Sequence, residues 1–386
     1  MKASAYLCNR AGASGVDVRK SLLRSVPRTD ETFIPKPGTT RSVEAKLVNP
    51  LHERDWDESV SSHPQATIFH SSAWARVLSE TYGHQPCYLR ISARDEPLAL
   101  VPMMEVQTLF TKARGVCLPF SDSCAPLLLT TFGKELVVKK LRQVARERNW
   151  KYFELRADSL LPEDAPASES YYGHVLDLQA GSSALYFGFT SSVQRAIRKA
   201  QRNGLTASVR SSSDAMDQFY NLHVRTRHKH GVPPQPRAFF ASIQKNIINA
   251  GLGFIVVVER AEDALAAAMF FRAGNHAVYK FGASDQRAQE LRPNNLAMFE
   301  AVKFLADAGA RSLHFGRTDM TNEGLRRFKL SWGASEEQIS YGKFNILADN
   351  WVGSRNHRPT FHNRIFRSLP ASVNRLAGSL LYPHLD

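Results

Sequence analysis

The sequence predicts an α/β protein with mixed sheets, in which two copies of one structural unit follow each other along the chain. The order helix, three strands, helix, strand occurs twice, which indicates an internal duplication. A length of 386 residues suits two domains of ordinary size. The longest apolar runs have the length of buried strands, well short of the roughly 18–20 residues that cross a bilayer. We therefore expect two consecutive units and no membrane span.

Changes in composition divide the chain into four regions. Residues 1–45 are rich in Ser, Thr, Gly and Arg without sustained periodicity, and we expect a disordered leader there. The first unit is expected at 46–180 and the second, which is predicted to be catalytic, at 181–345. Residues 346–386 form a basic, amphipathic C-terminal tail. Because no stretch has the apolar core of a secretory signal, we expect a cytoplasmic protein.

The elements of each unit follow from hydrophobic periodicity. In the first unit, the predicted helix, three strands, helix and strand are 71–82, 86–91, 98–104, 115–119, 134–148 and 151–156. In the second unit, the corresponding elements are 237–250, 253–260, 265–272, 276–283, 294–309 and 312–316. A duplication of one α/β unit is the simplest interpretation, and it differs from the strict alternation of a doubly wound sheet.

A further helix is predicted at 191–204, where a serine can cap the start and Gly204 the end. Its apolar face is formed by Val193, Ala196, Ile197 and Ala200. Its cationic face is formed by Arg195, Arg198, Lys199 and Arg202. No acidic residue occurs between 188 and 210, so the stripe is either a solvated face or an anion-binding one. We assign these four side chains to phosphate binding.

The C-terminal tail interleaves basic and apolar residues over two short helices separated by Pro370. The basic residues are Arg364, Arg367 and Arg375. The apolar residues are Phe361, Ile365, Phe366, Leu369, Val373, Leu376, Leu380 and Leu381. This pattern is typical of a helix that lies on a membrane surface, and also of a helix that packs back onto the body, which is the alternative we favour.

Several classes of site are disfavoured by the sequence. The chain lacks G-x-S-x-G, H-E-x-x-H and paired C-x-x-C patterns. The four cysteines, at 8, 87, 117 and 124, lack metal-ligand spacing, so we expect reduced thiols and no bound metal. His223, His228 and His230 lie in a basic run without a carboxylate, which also disfavours a metal. The net charge of +14 favours anionic partners such as phosphates, lipid headgroups or tRNA without choosing among them.

The most distinctive stretch is 314–333, HFGRTDMTNEGLRRFKLSWG. Arg317 is predicted at the carboxyl end of a strand, where α/β proteins commonly bind ligands. Phe328 and Lys329 follow on a short helix, before Trp332. A lysine charge can stabilise the oxyanion that forms during acyl transfer, although a single lysine is more often a surface residue.

These motifs together resemble the FemAB-like peptidyltransferases and their GNAT relatives. The matching stretches lie in order between about 69 and 344 and read RAIRKAQRNGL, YKFGASD followed by RPNN, LHFGRTD, and GLRRFKLSWG. The resemblance implies two tandem GNAT-like domains, that is, acyl-CoA N-acyltransferase-like domains with mixed sheets. In that family a Phe-Lys pair serves the transfer of an amino acid from aminoacyl-tRNA to a cell-wall precursor, and the pair corresponds to Phe328 and Lys329.

The resemblance implies an N-acyl- or aminoacyltransferase that acts on an amine of an anionic cell-envelope or polysaccharide precursor, in the cytoplasm or at the inner face of the membrane. Lys329 would stabilise the oxyanion and Phe328 would shape the pocket. The predicted substrate-binding residues are Arg317, Lys280, Asn294, Asn295 and Trp332. No cofactor is expected to be bound, and the co-substrate is aminoacyl-tRNA or acyl-CoA.

Two features leave alternatives open. Residues 285–296 stand where GNAT enzymes have a glycine-rich turn for the coenzyme A pyrophosphate, yet they contain no glycine. Pro293 nevertheless suits the first turn of a helix there. The long two-helix arm that cell-wall enzymes often carry is also not visible. The alternatives are an acyl-CoA-dependent GNAT N-acetyltransferase and a non-catalytic binding module of an envelope polysaccharide or protein-sorting system.

Overall fold

A computed structural model describes residues 43–61, 63–94, 96–108, 111–129, 134–157, 159–354 and 366–385. The predicted leader therefore lies almost wholly outside the described residues, and so does the part of the tail that contains Phe361, Arg364 and Ile365. The described chain has an α/β fold, in which helices pack on a long mixed sheet and a smaller sheet lies beside it.

The helices and strands of the first half follow the predicted order. The strands are β1 (Val43–Val48), β2 (Gln85–Pro86), β3 (Tyr88–Ala93), β4 (Glu96–Val101), β5 (Met104–Thr108), β6 (Thr111–Val116), β7 (Leu127–Leu128), β8 (Tyr152–Leu155) and β9 (Glu169–Asp177). The helices are α1 (Trp56–Ser61), α2 (Ser72–Tyr82) and α3 (Lys134–Glu147). The strand predicted at 98–104 is divided in two around Pro102, whose nitrogen cannot donate to a sheet ladder.

The second half also contains the predicted elements. Its strands are β10 (Thr206–Arg210), β11 (Gly253–Arg260), β12 (Asp263–Ala273), β13 (His276–Ser284), β14 (Ser312–His314), β15 (Thr318–Asp319), β16 (Ser335–Asn345) and β17 (Asn350–Val352). Its helices are α4 (Ser182–Gly188), α5 (Ser191–Arg202), α6 (Ser213–Lys229), α7 (Arg237–Ile243), α8 (Pro293–Asp307), α9 (Glu323–Leu330) and α10 (Ala371–Leu381). A π-type turn, Gln244–Ile248, continues α7 and accounts for the longer helix predicted there.

One strand–helix–strand motif occurs in both halves. In the first half β6, α3 and β8 follow each other, and β6 pairs in parallel with β8. In the second half β13, α8 and β14 do the same, and β13 pairs in parallel with β14. The other strand pairs described for the sheets are antiparallel, so the mixed α/β class predicted from the sequence is confirmed.

The two halves exchange strands at the centre of the long sheet. Strand β9 follows β8 in the chain but pairs with β14, and Leu176 lies opposite Leu313. Strand β16 follows β14 but pairs with β8, and Phe344 lies opposite Phe153. Because β9 and β16 also pair with each other, one sheet runs from β10 in the second half to β2 in the first. The unit bounds at 180 and 181 stay a prediction, since the sheet is continuous across them.

The core lies on both faces of the long sheet in the second half. Along β11, Ile255 and Val257 face a cluster that also holds residues of α2, α6 and α7, while Val256 and Val258 face a cluster with residues of α5 and α8. This two-sided burial explains why the strand has an uninterrupted apolar run. Across the two halves, the Trp74 ring of α2 lies 6.1 Å from the ring of Phe239 on α7.

The elements that were not predicted include α6, β9, β10 and β16. Both β9 and β16 carry polar side chains on much of their length, as in SEEQISYGKFN of β16. The pairing of each strand with the other half hides its backbone, so it needs no continuous apolar run of its own. The predicted tail, 346–386, begins with β17, which pairs with β16 and belongs to the sheet.

Candidate functional site

A fork between two parallel strands marks the centre of the site. Strands β13 and β14 pair over only three residue pairs, from His276 with Ser312 to Val278 with His314. Beyond this point Gly316 adopts a φ of +71°, and a Cβ atom there would lie 3.3 Å from the Tyr279 carbonyl oxygen. The close approach and the left-handed backbone both favour glycine at this position. The fork opens at the carboxyl ends of the two strands.

Lys329 points into the protein behind this fork. It lies on α9, whose first turn is capped by Asn322, and only 2% of the residue is exposed. Its Nζ donates to the carbonyl oxygen of Gly316 at 2.6 Å and to that of Arg317 at 3.2 Å. An ammonium carries three protons, and in the described part of the chain no acceptor is found for the third. Lys329 is therefore a buried residue, against the ordinary expectation for a single lysine.

Burial changes the acid–base properties of this lysine. Removal from water lowers the pKa of Lys329 to about 8, and the charge of Asp122 opposes part of that shift. No carboxylate of the described residues lies within ion-pair distance of its Nζ. The side chain is thus a desolvated cation near neutral pH, held by backbone dipoles.

A buried carboxylate from the first half holds two further cations of the second half. Lys280, on β13, donates from Nζ to Asp122 Oδ2 at 2.8 Å, and the backbone N–H of Arg317 lies 3.4 Å from Asp122 Oδ1. Although burial opposes ionisation, the charge of Lys280 lowers the pKa of Asp122 to about 2. Burial lowers the pKa of Lys280, and Asp122 opposes that shift. The Lys280 charge is therefore already compensated inside the protein.

Arg317 is also engaged within the chain. Its Nη1 donates to the Tyr341 hydroxyl at 2.8 Å, and that hydroxyl donates to the Asp122 carbonyl oxygen at 2.7 Å. Its guanidinium carbon lies 4.5 Å from the centre of the Tyr171 ring. Arg156 contributes another guanidinium 5.4 Å from the Tyr341 ring. Cations from both halves thus surround Asp122.

A cationic cavity lies on the other side of Phe328. Its volume is about 420 Å³, and it is formed by α5, the start of α8 and the end of α9. The lining residues are Ser192, Val193, Arg195, Ala196, Lys199, Arg292, Asn295, Phe328 and Ser331. None of these is acidic, and three are cationic. The cavity therefore suits an anionic group.

The start of α8 strengthens this preference for an anion. Arg292 precedes the helix with a φ of +64°, a left-handed conformation that is costly for a residue with a side chain. Pro293 occupies the first turn, as predicted. The N-terminal end of a helix presents free N–H groups and a partial positive charge. Asn295 brings its side chain to the same cavity.

The predicted phosphate-binding residues separate into two pairs. Arg195 and Lys199 line the cavity, whereas Arg198 and Arg202 do not. Arg198 instead donates from Nε to the backbone oxygen of Gln194 at 3.3 Å. Among the described residues no ion pair is found for any of the four, in agreement with the lack of acidic neighbours in the sequence. Their role in phosphate binding stays a prediction.

The remaining predicted site residues occupy supporting positions. Asn294 donates from Nδ2 to the Ser284 hydroxyl at 3.2 Å. Trp332 is fully buried, and its ring centre lies 4.9 Å from that of Phe189 and 6.1 Å from that of Phe328. Trp332 does not line the cavity, but its ring packs against that of Phe328, which does.

Several residues near the fork escaped the sequence analysis. His174, on β9, is buried with Nε2 3.1 Å from Glu336 Oε2, and its Nδ1 has no hydrogen-bond partner in the described residues. Burial and then the charge of Lys329 lower the pKa of His174, so the ring is neutral near pH 7. Asp122, Tyr341 and Arg292 were also missed. The single available signal was an acidic residue shortly after a buried strand, in LPFSDSC.

The histidine run, His223, His228 and His230, lies on α6 and on the residue that follows this helix. His223 is buried in α6, Nε2 lies 2.9 Å from Gln235 Oε1, and burial lowers its pKa to about 3. Within the described ranges no group of three or more His, Cys, Asp and Glu side chains is arranged to hold a metal ion. Cys87, Cys117 and Cys124 are buried free thiols.

Comparisons with known proteins found one matching family model and several relatives that match part of the chain. The model of the acetyltransferase (GNAT) domain matches residues 189–330, which extend from the start of α5 to the end of α9. A Lipid II:glycine glycyltransferase of Staphylococcus epidermidis is 35% identical over 75 residues, or 18% of each chain. The corresponding protein of Staphylococcus haemolyticus is 33% identical over 75 residues, again 18% of each chain. The matched segment thus spans under a fifth of the length of these curated relatives.

Solved structures extend the likeness to most of the chain. The crystal structure of FemX superposes with a TM-score of 0.60 at 14% identity, covering 77% of this chain and 96% of that one. A tandem GNAT protein from the clavulanic acid biosynthesis pathway superposes with a TM-score of 0.51 at 9% identity, covering 79% of this chain and 99% of that one. The resemblance predicted from the sequence is confirmed: the chain has a FemX-like, GNAT-type fold, and residues 189–330 match the model of the acetyltransferase (GNAT) domain.

Proposed function

We propose that this protein transfers an acyl or aminoacyl group to an amine, with Lys329 stabilising the oxyanion. The observation that carries the proposal is the buried ammonium of Lys329, which has one proton to spare and no carboxylate partner among the described residues. A fixed charge in a water-poor site interacts strongly with developing negative charge. A paired surface lysine would lack this property.

The reaction needs no covalent enzyme intermediate. The substrate amine attacks the donor carbonyl carbon and forms a C–N bond, while the carbonyl electron pair moves to oxygen beside the Lys329 ammonium. When the carbonyl re-forms, the bond to the donor oxygen or sulfur breaks. The leaving group departs with the proton that the amine loses. Phe328 covers the reacting group on the cavity side, and its ring is supported by Trp332.

The cationic cavity next to Phe328 is the proposed donor site. Both candidate donors, aminoacyl-tRNA and acyl-CoA, carry phosphate groups. Arg195, Lys199 and Arg292 meet the positive end of α8 there, which supports binding of such a phosphate. The matched family model, a GNAT acetyltransferase domain, favours acyl-CoA. The name of the staphylococcal relatives, Lipid II:glycine glycyltransferase, favours an aminoacyl donor and an envelope-precursor acceptor. We propose the aminoacyl donor first.

The donor is identified by thermal shift. The melting temperature of the purified protein is measured with acetyl-CoA, with aminoacylated tRNA and with uncharged tRNA. We expect charged tRNA to raise it most, because it is the proposed donor and uncharged tRNA lacks the acyl group. A larger shift with acetyl-CoA would identify acyl-CoA as the donor and would leave the assignment of the fold unchanged. No shift with any of the three favours the alternative of a non-catalytic binding module.

The role of the ammonium is tested by Lys329→Met. We expect turnover to fall by about 10²–10³-fold, the usual loss on removing one oxyanion donor. The free energy of unfolding should change by less than about 2 kcal/mol, because relief from burying a charge offsets the loss of two hydrogen bonds to carbonyl oxygens. Lys303→Met, at an exposed lysine of α8, is the matched control. Normal turnover in Lys329→Met would exclude this role.

A further inference from the structure

Helix α10 is held to the protein by one face only. Its inner face contains Asn374, which donates from Nδ2 to the Phe366 carbonyl oxygen at 2.6 Å, and Gly378. A Cβ atom at Gly378 would lie 2.0 Å from the Pro234 carbonyl oxygen, so the helix backbone touches the body there. One turn later the Tyr382 hydroxyl donates to the Pro233 carbonyl oxygen at 3.1 Å. Among the described residues, α10 therefore packs on the body as predicted, through the face that carries Asn374 and Gly378.

The opposite face of α10 is apolar and exposed. Val373, Leu376 and Leu380 are 42%, 62% and 63% exposed. Their spacing places them on one stripe of the helix, turned away from Asn374 and Gly378. Leu381 and Leu385 extend the exposed apolar surface to the end of the described chain. No described residue covers this stripe, although leaving leucine side chains in water costs free energy relative to burying them.

A second cationic cavity lies at the C-terminal end of this helix. It measures about 960 Å³, and His384, just after α10, forms part of its wall. Arg114 donates from Nη2 to the His384 carbonyl oxygen at 2.8 Å and so joins the tail to the cavity. The basic residues of the wall are Lys112, Arg114, Arg146 and Lys151, and none of the wall residues is acidic. Leu347, 84% exposed, also lies on this wall.

We propose that α10 and this cavity dock the protein on an anionic lipid bilayer, with the stripe Val373–Leu376–Leu380 in the acyl boundary and a lipid phosphate in the cavity. Charge complementarity supports this occupant: Lys112 and Lys151 form no ion pair with described residues, Leu347 is exposed on the same wall, and the leucines of α10 are exposed as well. Nucleic acid would satisfy the lysines and leave the leucines in water. This surface is separate from the fork, so the inference does not depend on the proposed activity.

Vesicle co-sedimentation tests the proposal with the full chain. Vesicles of phosphatidylcholine alone are compared with vesicles that contain 30% phosphatidylglycerol. We expect binding to the anionic vesicles only, weakened by salt. Leu376→Ser with Leu380→Ser should lower the partition coefficient by roughly tenfold or more. Lys112→Gln with Lys151→Gln should lower it by roughly thirtyfold, since each cation near an anionic surface contributes about a fivefold gain.

The matched control is Lys46→Gln with Arg54→Gln, which removes the same charge from exposed positions outside the cavity wall and should leave binding within about threefold of wild type. Unchanged melting temperatures verify that all variants are folded. Equal binding to both kinds of vesicle, or equal loss in the control, would overturn the proposal. So would a wild-type dimer that Leu376→Ser with Leu380→Ser converts to a monomer, because the stripe would then be a protein interface.

Discussion

The two halves of the molecule share a strand–helix–strand motif and differ in how they treat buried charge. In the first half, carboxylates pair with guanidinium groups of the same half: Glu154 lies 3.3 Å from Arg156, and Glu105 lies 2.8 Å from Arg148. Glu154 also lies 3.1 Å from Lys343 of the second half. In the second half, Lys280 is neutralised only by Asp122 of the first half, and Lys329 has no carboxylate partner among the described residues. The same backbone unit thus carries paired charges in one copy and, in the other, a buried cation without a carboxylate partner among the described residues.

The surroundings of the two crossover helices differ in the same way. A cavity at the start of α3 is lined by Lys134, Lys139, Glu135 and Glu163, among others, so its charges are mixed. The cavity at the start of α8 has cationic residues and no acidic ones. Of these two cavities, the one at the start of α8 therefore presents the field suited to phosphate. The two copies thus share a backbone scaffold and differ in where their charged side chains lie.

The largest expected effect concerns Asp122, a carboxylate of the first half that pairs with a cation of the second half. Asp122→Asn should lower the free energy of unfolding at pH 7 by about 3–5 kcal/mol, because it leaves the buried Lys280 charge unpaired. Since the pKa of Asp122 is lowered to about 2, its stabilising effect is full above the unfolded pKa and is lost as the pH falls through about 2. Urea denaturation measures this change. The double variant with Lys280→Met should recover most of the loss; no recovery would mean that Asp122 acts through its other contacts.

A second prediction compares the two crossover-helix cavities. Arg195→Ala with Lys199→Ala should weaken donor binding by about 10–30-fold at low salt, because two charges leave the phosphate cavity. The slope of log affinity against log salt should also become shallower. Lys134→Ala with Lys139→Ala, in the corresponding cavity of the first half, should change donor affinity less than twofold. Equal effects of the two pairs would show that overall charge, and not the site, attracts the donor.

The third prediction uses the lowered pKa of the desolvated lysine. Because the folded pKa of Lys329 is about 8, the ammonium is present below that pH and is lost above it. Relative to Lys329→Arg, whose charge persists, wild-type turnover should fall by about eightfold between pH 7.5 and pH 9. The ratio of the two pH–rate profiles is the measurement. A ratio that is constant with pH would show that turnover does not depend on the protonation state of Lys329.

The smallest effect is expected at an ion pair of the first half. Arg148→Met should lower the free energy of unfolding by about 1 kcal/mol or less. Arg148 is 35% exposed, and Glu105 keeps the indole N–H of Trp150 as a donor when Arg148 is removed. Chemical denaturation at low and high salt checks this. If Arg148→Met lowered the free energy of unfolding as much as Asp122→Asn does, the two halves would not differ in how strongly they depend on paired charges.

The sequence predicted much of the fold because local periodicity records local burial. Strand β11 matches its prediction from Gly253 to Arg260, and α5 buries Val193, Ile197 and Ala200 as its apolar face predicted. The π-type turn after α7 and the interruption at Pro102 changed element lengths without changing their order. By contrast, β9 and β16 escaped prediction because their partners lie in the other half of the chain.

The candidate site was only partly predictable for the same reason. A Phe-Lys pair on a short helix after a strand is a local pattern, and it directed attention to Lys329. Its burial, and the cavity that joins Phe328 to Arg195, depend on how α5, α8 and α9 pack. Trp332 shows the limit, because the sequence suggests a ligand contact and the structure shows a fully buried support.

By itself the sequence determined the α/β class, the duplicated order of elements and the cationic stripe on α5, since these follow from spacings of two to four residues. The resemblance of its motifs to a known family directed attention to Lys329. Only the tertiary structure decided that Asp122 neutralises Lys280, 158 residues away, while Lys329 keeps its charge without a carboxylate among the described residues. The physical reason is that the pKa and the partner of a buried charge depend on atoms that distant segments bring within a few ångströms, and no local pattern encodes that distance.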